Sequence, residues 1–189
     1  MGGSSTTIST SATRINALQL QRSANGSPIA WLAGRNRVSP NLIYYTDFEA
    51  VAQTTKKKSG GKGGGGATQK DTTYTYYAAI VLAIGTGADG EGLGDIERIF
   101  RDKEVFENGD ETALAQVGFS YANGQRDQPV WGYLETNHPE EALAYSETAY
   151  VYASRYQLND NAGVQNHSFE VNGPYQVPGL PDANPGWFV

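Results

Sequence analysis

The chain has 189 residues, with 14 Lys+Arg against 20 Asp+Glu, a net charge of −6, two histidines and no cysteine. That length suits one domain with a real core. The charge argues against a general nucleic-acid binder, which needs a basic face, and the missing cysteine excludes disulfides, thiolate metal sites and a cysteine nucleophile. The 23 glycines and 12 tyrosines, with only 18% charged residues, fit a β protein rich in turns.

Residues 1–13 (MGGSSTTISTSAT) have neither the basic start nor the apolar stretch of a secretory signal. They read as a flexible polar lead-in. Gly2 and Thr6 fit an N-acylation pattern, but no polybasic second signal follows. Arg14–Gln21 is predicted as a strand, followed by a hairpin at Asn25-Gly26. Segments 28–35 and 42–52 read as further strands, with Ser39-Pro40-Asn41 as a turn between them.

Residues 53–72 hold a lysine and glycine run in which only Lys62 interrupts Gly60–Gly66. Such a stretch has maximal backbone entropy and nothing to pack, so it is expected to be a mobile loop. Lys56, Lys57, Lys58, Gly60, Gly61, Lys62 and Lys70 make it a candidate contact for an acidic partner. Thr73–Ile84 begins with alternating Thr and Tyr and ends continuously apolar, the pattern of a strand entering a buried layer. Its apolar run is far short of the ~20 residues that span a bilayer.

Ile96–Phe106 reads as strand with a hairpin at Asn108-Gly109, although a helix also fits. Val117–Tyr121 and Val130–Leu134 read as a hairpin around Asn123-Gly124. Asn137-His138-Pro139-Glu140-Glu141 predicts a short helix running to about Tyr145. Thr148–Leu158, with an irregularity before Tyr156, and His167–Val171, closed by Asn172-Gly173, complete the strands. From Pro174 the tail holds four prolines and has no period. Asn25 and Asn166 fit the glycosylation pattern, which carries meaning only in a secreted chain.

Several chemical motifs fail on inspection. Gly85-Thr-Gly87-Ala-Asp-Gly90 matches a dinucleotide fingerprint. However, Asp89 and Glu91 would face the diphosphate, and Gly92 and Gly94 break the helix that should follow. No phosphate-loop frame surrounds Lys62. Asp89, Glu91, Asp95 and Glu97 fit no calcium loop. Glu140 and Glu141 adjoin on one turn and cannot face each other across a cleft. His138 reads as a turn residue and His167 as a strand start, with no nucleophile motif beside either. Catalytic, cofactor-binding and metal-binding residues are therefore not assigned. The tyrosines Tyr44, Tyr45, Tyr74, Tyr76, Tyr150 and Tyr152 are candidate interface aromatics, suited to ordinary sheet packing, protein contacts or stacking on sugars.

Ordered stretches of the chain resemble one family. GSPIAWLAGRNRVSPNLIYYTDF (26–48) carries G-x-P-I-x-x-x-x-G-x-x-R-V followed by N-x-I-x-Y. TYTYYAAIVLAIGTG (73–87) follows a lysine and glycine loop, and IERIFRDKEVF (96–106) comes next. PVWGYLETNHPEEALAYSETAYVYASRYQLNDNAGVQNHSFEV (129–171) is the most specific stretch. In this order, over about residues 14–185, the chain resembles phage tail-tip hub proteins of the lambda protein J-like group and related gene-transfer-agent tail proteins.

The resemblance implies an α+β, mostly antiparallel β fold: a hub-type β-barrel or sheet domain over 14–173, with one short helix and the glycine-rich loop at 53–72. The Pro-rich tail spans 174–189. It also implies a non-enzymatic virion protein at the distal end of the tail, made in the host cytoplasm and assembled as a homotrimer without cofactors. Its implied partners are the distal tail protein, the tape-measure protein, and a tail fibre or further hub domains. No membrane anchor is implied, and DNA, if touched at all, is met in the tail lumen. Family members run to several hundred residues, and DANPGWFV (182–189) resembles the start of their next segment. The chain is thus expected to be the first section of a hub. A carbohydrate- or receptor-binding β module is the alternative reading.

Overall fold

A computed structural model describes residues 7–19, 28–58, 67–87 and 90–173. The elements in chain order are β1 (Thr7–Ser11), β2 (Arg35–Val38), β3 (Asn41–Lys58), β4 (Thr68–Gly85), β5 (Ile96–Arg101) and β6 (Glu104–Glu107). Then come α1 (Ala113–Val117), β7 (Ser120–Ala122), α2 (Gly132–Asn137), a 3-10 turn (Pro139–Glu141), β8 (Ala149–Gln157) and β9 (His167–Asn172). The strands form two sheets. One runs β1-β4-β8-β7, with β3 on the other edge of β4; the second runs β2-β9-β5-β6. All pairings are antiparallel except β1 with β4. The mostly antiparallel β expectation therefore holds. The closed barrel does not: among the described residues each sheet ends on strands paired on one side only.

The core sits where the two sheets meet. Ala78, Ile80, Leu82 and Ile84 alternate along β4 into a cluster with Ile96, Ile99, Val151, Phe169 and Val171. Ala79, Val81 and Ala83, of opposite parity, are equally buried but stand outside that cluster. Burial on both faces explains why this half of β4 is continuously apolar rather than alternating.

Several local expectations change. Residues 14–19 are not strand; Leu18 is buried and the Ile15 N–H donates to the Tyr76 hydroxyl at 3.1 Å, so the segment is held at single anchor points. Asn25-Gly26 lies outside the described residues. In 28–35 only Trp31, bridged to Thr86, and Arg35, which opens β2, have strand pairing. The β5–β6 hairpin turns at Asp102-Lys103, with Asp102 at φ 52°, and not at Asn108-Gly109. The helical alternative for 96–106 is thereby set aside.

Val117 ends α1, whose signals are Thr112, which accepts from the Ala115 N–H, and Gly118 at φ 80°. Val130–Leu134 leads into α2 and is not a strand; five residues are too few to tell the two periods apart. The helix expected to reach Tyr145 is a single 3-10 turn, and Tyr145 itself lies at φ 48°. The irregularity expected before Tyr156 is present: the β4–β8 register steps from Ala78/Tyr156 to Ile80/Ala153.

Candidate assembly surface

The feature that sets this fold apart is an arm. β3 and β4 are each 18 residues, about 60 Å at the usual strand rise. Only their proximal halves meet the core. Residues 53–58 and 68–72, expected to be loop, are paired strand: Gln53 faces Thr73, Thr54 faces Thr72, and pairing continues to Lys58 opposite Thr68. Thr suits strands, and cross-strand pairs tie the two ends. Thr54 and Thr72 hydroxyls lie 3.1 Å apart, and Gln53 Nε2 donates to Thr75 Oγ1 at 2.9 Å.

β1 adds a third strand along the distal part of β4, with Thr7 opposite Thr68 and Ser11 opposite Thr72. All five of its residues are exposed. The arm therefore forms rows across three strands: Thr7–Thr68–Lys58, Ile8–Gln69–Lys57, Ser9–Lys70–Lys56, Thr10–Asp71–Thr55 and Ser11–Thr72–Thr54. These rows hold four lysines and one aspartate, on a chain of net charge −6. Lys56 stands directly opposite Lys70, a like-charge pairing that costs stability. Neither face of these rows carries an apolar layer. Gly60, Gly61 and Lys62 lie outside the described residues.

The candidate tyrosines divide. Tyr76 is buried, stacked between Phe48 (5.9 Å) and Tyr74 (6.3 Å). Tyr150 is buried against Tyr145, and its hydroxyl is pushed up to about 12 by desolvation. Tyr152 packs on Trp131 at 4.9 Å. Tyr44 is half-buried and donates to the Glu141 carboxylate; burial and that carboxylate raise its pKa to about 12. Of the six, only Tyr45 is exposed, at 40%. Tyr76 and Tyr150 thus belong to the interior, because each falls on a strand position that a neighbouring element covers.

Sequence reasoning missed a polar clamp. Asp47, at φ 51°, sits in the β3 irregularity between Thr46 and Glu49. Its Oδ2 accepts from the Tyr133 hydroxyl at 2.6 Å and meets His138 Nε2 at 2.8 Å. These bonds hold its pKa below the usual carboxylate range, the tyrosine first and the histidine second, and the carboxylate in turn lifts Tyr133 to about 12. With Tyr44–Glu141, the clamp bolts α2 and the 3-10 turn to β3. The available signal was an Asp in the middle of a strand, a residue that tolerates the left-handed region. His138 is therefore more than a turn residue, and Glu141 accepts a hydroxyl besides lying on a helical turn.

Several other charged groups form ion pairs or ring contacts. Glu97 pairs with Arg35 at 2.7 Å and accepts from Asn172, and Asp89 lies outside the described residues. Arg37 stacks over Phe100 at 3.5 Å on the outer face of the second sheet. Among the described residues no group of three or more His, Asp or Glu side chains is gathered to hold a metal ion, and no helix is long and apolar enough to cross a membrane.

No protein-family model matches the chain, and no curated protein matches it. A solved structure does. The match is a chain from the virion of a native gene transfer agent particle, with a TM-score of 0.53 and 22% identity, covering 92% of this chain and 32% of that one. At that identity the likeness shows a shared fold. This chain corresponds to about a third of the longer one.

Proposed function

We propose that the chain is a structural, non-enzymatic protein of a phage-like virion, and that it serves at the tail tip as a hub component. The observation that carries this is the fold shared with a chain of the gene transfer agent virion over 92% of the sequence. The ordered sequence resemblance to tail-tip hubs supports the finer placement. In this reading the protein closes the distal end of the tail tube as a homotrimer and joins the distal tail protein, the tape-measure protein and the fibre or further hub domains. The arm suits such work, since a polar sheet without its own apolar layer gains from neighbours that cover it. The clamp at Asp47 ties α2 and the following turn to β3, which gives the arm a fixed base. The saccharide-binding reading retains only Tyr45 as an exposed platform among the six tyrosines.

The test is to purify the particles, identify their proteins by mass spectrometry and image the tail by electron microscopy. The chain is expected in a ring at the distal end of the tail. Its absence from purified particles overturns the proposal.

A further inference from the structure

The arm has two free edges, and they differ. Among the described residues β1 and β3 pair only with β4, so the outer edge of each is open along the distal arm. Open edges are templates for further strands, and proteins blunt them with lysine, proline or bulges. β3 carries such protection: two register irregularities near its start and Lys56, Lys57 and Lys58 at its end. β1 has none. Its sequence TISTS holds no charge and no proline, its register with β4 is unbroken, and Ile8 is 57% exposed.

We propose that the β1 edge of one copy adds to the distal β3 edge of a second copy, head to tail. The inference rests on the assembly reading only in taking the chain to self-associate; the pairing itself follows from the edges. β1 runs parallel to β4 and β3 antiparallel to it. A rotation about an axis along the arm keeps every β4 pointing the same way, so β1 meets the neighbour's β3 antiparallel, the slightly more stable arrangement. The two edges stand at the same level, with Ser9 and Lys56 both in register with Lys70. The uncharged β1 can accept the lysine-bearing end of β3. A two-fold contact centred on two β3 ends would set those lysines against each other, and one between two β1 strands would leave β3 open. A contact that uses both edges of every copy is heterologous and closes into a ring when the rotation permits.

The chain has no cysteine, so engineered thiols report cleanly. Ser9→Cys is combined in turn with Thr54→Cys, Lys56→Cys and Lys58→Cys, all on one face of the arm. Within one copy these positions lie two strand spacings apart or more, about 10 Å, beyond the ~7 Å reach of a disulfide. Oxidation of the full chain is expected to give dimers, trimers and higher products for at least one pair, and none for Ser9→Cys alone. Dimers from Ser9→Cys alone, or no cross-links from any pair, overturn the inference. Cross-linked rings of a chain absent from particles would remove the virion reading and leave this inference standing. A particle-borne chain without cross-links does the reverse.

Discussion

His167 is buried between Tyr156 and the backbone of Gln165. Its Nδ1 lies 2.7 Å from the Gln165 carbonyl, which only accepts, so Nδ1 carries the proton and Nε2 accepts from the Tyr156 hydroxyl at 3.2 Å. Burial pushes the imidazole down to about 4, against a smaller upward pull from that carbonyl. The unfolded chain therefore takes up a proton near pH 6.5 that the folded chain refuses until about pH 4. Stability is full above 6.5 and falls as pH drops toward 4, by on the order of 3 kcal/mol. Urea unfolding at pH 7 and pH 4.5 is expected to show this loss, and His167→Gln to remove most of the difference.

Gln128 is the second residue on which much depends. Its Oε1 accepts from the Gly124 N–H at 2.9 Å, and its Nε2 donates to the carbonyls of Ala144, Tyr145 and Thr148 at 2.8–3.0 Å. Two loops, the one after β7 and the one before β8, are thus fixed by one buried amide. Gln128→Ala strands those groups and should cost about 2–4 kcal/mol. Gln128→Glu should cost more, because a carboxylate would face three carbonyl oxygens. Chemical denaturation of both variants checks the order.

At the scale of elements, the arm and the body are energetically distinct. The proximal half of β4 buries Ala78 through Ile84, whereas the distal rows rest on backbone bonds and polar pairs. Joining Gln53 to Thr73 through Asn-Gly, a turn suited to a two-residue hairpin, should leave the melting temperature within a few degrees of the parent. A collapse of the fold would show that the arm supports the core. Lys70→Thr removes the charge facing Lys56 and should stabilise the arm by about 0.5 kcal/mol. The gain should be largest at low salt and measurable as slower amide exchange in residues 54–58.

For the whole molecule, one cluster unites the two sheets. Phe169 and Val171 of β9 share it with Leu82 and Ile84 of β4, so the sheets should unfold together. Phe169→Ala is expected to cost about 3–5 kcal/mol. It should lower amide protection in β4 and β8 as well as in β5 and β9; loss confined to the second sheet would show two independent units.

The sequence by itself determined the β class and the main strands. Alternation along 148–158 and 167–171, the apolar run at 78–84, and short turn residues are local properties, so a period-2 pattern reads them directly. Thr112 and Gly118 cap α1, but the five residues between them are too few to separate a helical from a strand period. Only the tertiary structure decided which tyrosines are surface and which are core, because Tyr45 and Tyr150 present the same chemistry until a neighbouring element covers one of them. It also decided that the lysine-bearing ends of 53–72 are strand. A polar segment has no burial signal of its own: 53–58 is ordered by pairing with 68–73, and β1 adds a further strand to 68–72 from 61 residues earlier, Thr7 opposite Thr68. The same holds for the clamp at Asp47, whose bonds to Tyr133 and His138 cross 86 and 91 residues. Contacts at such separation are set by where the chain returns in space, and no local pattern encodes that return.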